Sequence, residues 1–162
     1  MKQEIFGLSL TELQIRLAEM GLKRFRAKQI FSWLYRKCVF DFSAMTNLSL
    51  AERDTLAEYF SILPGEIICL RQLDSADGLT QKLLLQLLDG NTIETVLMHH
   101  DYGYSVCVSS QVGCDMHCAF CASGLNGAVR NLTQTEILAQ VYFFNARLAA
   151  AGQRVSRVVV MG

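Results

Sequence analysis

The sequence predicts an α/β chain. An N-terminal helical accessory domain with a small antiparallel sheet is followed by one βαβ unit of a parallel sheet. Three observations carry this. Ser9-Leu-Thr-Glu12, Ser49-Leu-Ala-Glu52 and Thr133-Gln-Thr-Glu136 are capping-box patterns, and each opens a helical segment. From Glu66 to Met98 the apolar period shortens to two, the period of strands. From Tyr104 to Met161 the order is a β-rich run, a glycine- and cysteine-bearing loop, a long amphipathic helix and a continuous apolar run.

The chain has 162 residues and is 51% hydrophobic, enough for a sizeable core in one domain or two small ones. Its 15 Lys and Arg balance its 15 Asp and Glu, so bulk charge does not mark a nucleic-acid binder and any RNA contact must come from a local patch. No apolar run approaches the ~20 residues of a membrane span. The start, Met1-Lys2-Gln3-Glu4-Ile5, lacks a basic segment followed by an apolar one. The six cysteines are therefore expected as free or cofactor-bound thiols in a reducing, cytoplasmic setting. Cys38 and Cys69 sit among apolar residues and read as packed thiols.

Taken in order, Leu10, Leu13, Leu17 and Met20 recur at helical spacing after the first capping box, and Gly21 is a natural stop. A second helix is expected over residues 27–38, burying Ile30, Phe31, Leu34 and Cys38. Lys23, Arg24, Arg26, Lys28, Arg36 and Lys37 surround it, with Phe25, Trp33 and Tyr35 among them and no acidic residue between Glu19 and Asp41. Basic groups neutralise phosphates and aromatic rings stack on bases, so this is a candidate RNA surface. The competing reading is a solvated helix face with ordinary core aromatics. Residues 41–48 read as a loop and the second capping box opens a helix to about Phe60. Pro64-Gly65 breaks the pattern. Strands are then expected over 67–73, 79–88 and 92–98, with turns at Asp77-Gly78 and Asp89-Gly90. The polar stretch His99 to Gly103 is the expected domain boundary, dividing an accessory domain, 1–99, from a core domain beginning at 100–162.

Beyond that boundary, Tyr104 to Ser109 reads as a strand that delivers the cysteine loop. Gly124 and Gly127 make that loop pliable. The third capping box opens a helix to about Ala151 with Ile137, Val141, Phe144 and Leu148 as its stripe. Val155 to Met161 has the composition of a strand buried on both faces. In parallel sheets, sites gather at the C-terminal ends of strands, where the cysteine loop falls. One βαβ unit cannot close a barrel, and it would leave an open parallel edge. The expectation is a chain completed by further structure.

The chemistry concentrates between Cys107 and Cys121. Cys114, Cys118 and Cys121 form C-x3-C-x2-C, with Gly113 before the first and Phe120 before the last. A structural zinc site normally takes four protein ligands, and ferredoxin patterns use four cysteines. Three thiolates leave one metal position open to a ligand, which points to catalysis. Phe120 is placed to shield one side of such a centre. Buried, chemically idle thiols are the bland alternative.

The C-x3-C-x-Phe-Cys string resembles the signature of the radical S-adenosylmethionine enzymes. The wider string, from Cys107-Val-Ser-Ser-Gln-Val-Gly-Cys114 to Arg130-Asn-Leu-Thr133, resembles the RNA adenine-C2 methyltransferases of the RlmN/Cfr family. The resemblance covers most of the chain and is sharpest from Glu94 to Thr133. It implies that Cys114, Cys118 and Cys121 ligate a [4Fe–4S] cluster whose open iron binds S-adenosyl-L-methionine, within a truncated radical SAM (β/α) barrel. It also implies a methyl-carrier cysteine outside these residues. That thiol is methylated first, then converted to a methylene radical that adds to adenine C2, which ordinary polar methyl transfer cannot reach. Glu94 matches the family's proton acceptor and Cys107 its resolving cysteine, which forms a transient disulfide with the carrier. The sequence does not choose between Glu94 and Cys107 for removing the C2 proton. On a strand, Glu94 would share a face with Val96 and Met98, an apolar setting suited to a general base.

The implied partners are 23S rRNA, tRNA and an electron donor such as flavodoxin, with no membrane and a monomeric state. His117 reads as a loop residue, and Arg130 and Asn131 as bracing the loop or touching substrate. Turnover by these residues alone is not expected. Two other activities fit the same residues: Cfr-type methylation at adenine C8, and a non-catalytic zinc module for RNA with Cys107 or His117 as fourth ligand. A third reading is a poorly folding remnant.

Overall fold

The computed structural model describes residues 2–62, 67–116 and 118–161. The chain packs as two compact units, Met1–Pro64 and Gly65–Gly162. The expected break at Pro64-Gly65 falls outside the described residues.

In the first unit a short strand β1 (Gln3–Glu4) precedes helix α1 (Leu10–Glu19). Helix α2 (Arg26–Phe31) runs directly into a π-helical turn, Ser32–Arg36, and helix α3 (Leu50–Tyr59) leads into strand β2 (Phe60–Ser61), which pairs in parallel with β1. Both predicted capping boxes form: the Ser9 and Ser49 amides donate to the Glu12 and Glu52 carboxylates at 2.7 and 2.8 Å. Each such cap is worth about 1 kcal/mol. The second helix was expected to stay α-helical to Cys38. Instead it widens at Ser32, where the Lys37 amide donates to the Ser32 carbonyl, and it ends at Arg36, ahead of Cys38, which takes φ 52°. A π turn inserts a residue, so Leu34 remains buried while Cys38 leaves the buried stripe. The 41–48 segment contributes Phe42, Met45 and Leu48 to the core with Leu13, Leu17, Ile30 and Leu56.

The second unit is built on one five-stranded sheet. Strands β3 (Ile68–Asp74), β4 (Thr80–Gln86), β5 (Thr92–His100) and β6 (Gly103–Ser109) form an antiparallel meander. Two short strands, β7 (Gln111–Gly113) and β8 (Ala128–Asn131), pair with each other across the cysteine loop. Helix α4 (Gln134–Ala149), capped by Thr133 and Glu136, then leads to strand β9 (Val155–Met161), parallel to β6. The order is β3-β4-β5-β6-β9, which contains the expected βαβ unit.

The predicted hairpin and the predicted βαβ unit therefore share one sheet. His99 pairs with Tyr104 and His100 with Gly103, so the stretch expected to separate domains is a tight turn inside that sheet. Packing places the division earlier, at residue 64. The polar composition of 99–103 marked a turn, which composition alone does not distinguish from a linker. On one face of the sheet Leu83, Leu85, Ile93, Val106 and Val108 pack with Phe144 of α4. Expectation and structure also differ at β9. Val158, Val159 and Val160 are 50%, 52% and 62% exposed, because β9 is an edge strand and nothing among the described residues covers it.

Candidate cofactor and active site

The cysteine loop hangs from the C-terminal end of β6. Its two ends are tied together: Gln111 pairs with Asn131, Val112 with Arg130 and Gly113 with Ala128. The Cys114 amide donates to the Gly127 carbonyl at 3.2 Å, and the Ala128 amide donates to Asp115 Oδ1 at 2.7 Å. Gly113 takes φ 74°, and a Cβ there would lie 1.9 Å from the Gly127 carbonyl oxygen. Only glycine lets the two backbones approach so closely. This ladder was not expected from sequence, since strands of three and four residues carry no readable period.

Within the loop, Cys114 is buried and Cys118 and Cys121 are exposed. The Cys121 amide donates to the Cys118 carbonyl at 3.0 Å, turning the chain between those two thiols. The Cys121 thiol is pulled below its ordinary value, first by the Ser123 backbone and then by the Ser123 side chain. Phe120 is 94% exposed and makes no shield within the chain. Among the described residues, no three His, Cys, Asp or Glu side chains converge on a point that could hold a metal ion. The three sulfurs are tethered to one pinned loop but do not converge. Thiols have no attraction for one another, and a ligand shell gains its free energy when the centre binds. The all-sulfur donor set suits an iron–sulfur centre.

Glu94 and Cys107 lie on the sheet face opposite α4. Cys107 pairs directly with Val96, so it and Glu94 are near neighbours on that face. Glu94 is half exposed and pairs with Lys82 of β4, Oε1 to Nζ at 2.9 Å, rather than sitting in an apolar setting. The sequence reading missed this lysine, which is cross-strand rather than near in sequence. Glu94 also lines a cavity of about 380 Å³ together with Ser109, Gln111, Ser123, Asn126 and Met161, and so faces the cysteine loop. Cys107 does not line that cavity, and burial pushes its thiol up. All six cysteines are free. His117 lies outside the described residues.

Two polar groups support the strand end and the loop. Gln140 of α4 is fully buried. Its Oε1 accepts from the Ser109 amide at 2.8 Å, and its Nε2 donates to the Ser109 carbonyl at 3.0 Å. The Ser109 hydroxyl donates to the Glu94 carbonyl at 2.7 Å. Arg130 Nε donates to Asp89 Oδ2 at 2.7 Å, and its two terminal nitrogens grip both Glu136 oxygens at 2.9 and 2.8 Å. The Arg130 guanidinium holds the Asp89 carboxyl down at about 2. A depressed folded-state value stabilises above the unfolded value of about 4. That contribution is lost as pH falls through about 2. Asp89→Asn should therefore flatten the acid limb of the stability curve between about pH 4 and 2. Denaturant melts at stepped pH would show this, and an unchanged slope would dismiss the pairing.

In the first unit, the candidate RNA surface is partly spent on packing. Arg26 Nε pairs with Glu52 at 2.8 Å. Tyr35 stacks on Phe6 with centroids 5.4 Å apart, and its hydroxyl accepts from the Gly7 amide. Lys37 Nζ lies 3.5 Å over the Trp33 ring. Lys23, Arg24, Phe25, Lys28, Arg36 and Lys37 remain exposed. None of the described helices is long and apolar enough to cross a membrane.

Comparison with known proteins agrees with this architecture. Residues 3–62 match the family model of the ribosomal RNA large subunit methyltransferase N-terminal domain. A relative in Spiroplasma citri, "Probable dual-specificity RNA methyltransferase RlmN", is 50% identical over 158 residues, covering 98% of this chain and 45% of the relative. A protein of the same description in Staphylococcus aureus (strain JH9) is 49% identical over 161 residues, covering 99% of this chain and 43% of the relative. The crystal structure of a radical SAM methyltransferase from Sphaerobacter thermophilus superposes with a TM-score of 0.86 at 40% identity, covering 98% of this chain and 47% of that one. The chain thus spans a little under half the length of the proteins it matches.

Proposed function

We propose that this chain, which corresponds in sequence and fold to part of an RlmN-type radical SAM methyltransferase, carries the cofactor loop of an enzyme that methylates adenine C2 in 23S rRNA and tRNA. The observation that supports this most is the 114–127 loop, which bears three thiols, is pinned at its base and faces a cavity that Glu94 also lines. In this reading Cys114, Cys118 and Cys121 hold a [4Fe–4S] cluster, and S-adenosyl-L-methionine binds beside it. A cluster held there would supply one-electron chemistry to S-adenosyl-L-methionine, with a donor such as flavodoxin as the source of the electron.

The chain's own residues then bind and position. The β7–β8 ladder holds the loop ends, and Ser109 and Gln140 hold the strand from which the loop springs. Glu94 lines the cavity while Cys107 does not, and burial pushes the Cys107 thiol up. That contrast supports Glu94 rather than Cys107 as the group that takes the C2 proton, and the role of Cys107 as the thiol that resolves a protein–RNA adduct rests on the resemblance alone. The exposed Lys23, Arg24, Lys28, Arg36 and Lys37 form the RNA-facing patch of a monomeric, cytoplasmic enzyme. Methylation by this route needs a carrier cysteine in addition to the six here, so these residues alone should not turn over.

Anaerobic reconstitution with iron and sulfide tests the reading. The parent should turn brown and absorb near ~400 nm, and Cys114→Ala, Cys118→Ala and Cys121→Ala should each lose that band. A colourless parent that takes up one zinc per chain would sink it.

A further inference from the structure

We propose that Arg130 is a positioning residue for the cysteine loop, a clamp that holds the loop's closing strand to two other elements at once. The proposal rests on the reading of 114–127 as a cofactor loop. Besides Arg130, β8 is held by its ladder with β7, by the Ala128 amide on Asp115 Oδ1 and by the Leu132 amide on the Ser110 carbonyl. Its ladder with β7 is three residues long and irregular between Val112 and Gly113, and Val129 is mostly exposed. Within β8 itself apolar burial contributes little, and the buried neighbours are Val112 across the ladder and Leu132 just beyond it.

Arg130 supplies what burial does not. One guanidinium binds Asp89, in the turn between β4 and β5, and both oxygens of Glu136, at the start of α4. It also donates to the Asn131 carbonyl at 3.1 Å. Glu136 meanwhile keeps its capping role, accepting from the Thr133 amide at 2.8 Å. A planar fork meeting two carboxylates from different elements is geometry that a lysine cannot reproduce. The side chains are partly sheltered, Arg130 at 32% and Glu136 at 12% exposure, which separates this network from an ordinary surface pair. Arg130 pairs with Val112, two residues before Cys114, so fixing it fixes both ends of the loop. Arg130 and Glu136 lie six residues apart, but Asp89 lies 41 residues before Arg130, and only the fold brings the three together.

The test uses Arg130→Met, Arg130→Lys and Asp89→Asn in the intact protein. Amide hydrogen exchange is followed before any metal is added, and iron release to a chelator after anaerobic loading. In Arg130→Met the Cys114 and Ala128 amides should exchange roughly tenfold faster, with Val106 in the sheet core unchanged. Loaded protein should surrender iron several-fold faster, Arg130→Lys should recover only part of the difference, and Asp89→Asn should show a smaller effect of the same kind. Parent-like exchange at Cys114 and Ala128 would overturn the proposal. So would equal loosening at Val106, which marks a general loss of stability. If the parent takes up no iron and sulfide, the cofactor reading fails, while the exchange measurement still decides the role of Arg130.

Discussion

Gly113→Ala will open the base of the cysteine loop and abolish retention of the proposed iron–sulfur centre. The added Cβ would sit 1.9 Å from the Gly127 carbonyl oxygen and 3.0 Å from its carbonyl carbon. Both are backbone atoms, so no side-chain rotation relieves the overlap. Gly113 also takes φ 74°, which costs a residue with a Cβ roughly 1–2 kcal/mol before any clash. Relief requires moving β7 from β8 and breaking the bond from the Cys114 amide to the Gly127 carbonyl. Gly90→Ala is the control. Gly90 takes φ 83° but a Cβ there meets nothing within 4 Å, so only the same backbone cost of roughly 1–2 kcal/mol applies. Iron content after reconstitution, with hydrogen exchange at residues 111–114 and 127–131, reads the difference. A Gly113→Ala protein that holds iron as well as Gly90→Ala would contradict the close approach described here.

Gln140→Leu should cost about 2–5 kcal/mol in global stability. The side chain fits the apolar environment beside Phe144, but the substitution removes the partners of two main-chain groups at once. Each buried group left unsatisfied costs about 1–3 kcal/mol. The Gln140 amide binds the N–H and the C=O of Ser109 as a neighbouring strand would. Its loss should also unsettle the Ser109 hydroxyl, which bonds the Glu94 carbonyl. Gln140→Glu separates the two roles, since it keeps an acceptor for the Ser109 amide and loses the donor to the Ser109 carbonyl. Urea unfolding of the three proteins measures this. A loss below about 1 kcal/mol for Gln140→Leu would mean that Ser109 finds other partners.

The helix starts were legible at Ser9, Ser49 and Thr133 because a capping box is complete within four residues. All three form with their predicted partners, Glu12, Glu52 and Glu136. The hairpin around Gly90 and the parallel pairing of β6 with β9 were legible for a similar reason, since alternation, turn residues and element order are written along the chain. The spacing of the three thiols puts them on one loop, where they do not converge. The RlmN-like kinship followed from the string around them, and the comparisons agree with it.

Contacts between distant residues were not legible. The sheet runs through residues 99–103 because β5 and β6 pair there, and a polar turn looks like a linker until its flanking strands are seen to bond. Glu94 stands opposite Leu84 in the register, yet its carboxylate reaches the diagonal Lys82, which stands opposite Val96, and only the paired strands bring that lysine within reach. Gln140 carried no sequence expectation, yet it satisfies a strand end 31 residues away. Local chemistry along the chain thus settled which segments become helices, strands and a thiol-bearing loop, since those choices depend on neighbours three or four positions apart. Tertiary structure alone settled how that loop is held, through the missing Cβ of Gly113, the fork of Arg130 and the amide of Gln140. Close backbone approach and hydrogen-bond satisfaction are properties of residues that meet only after the chain has folded.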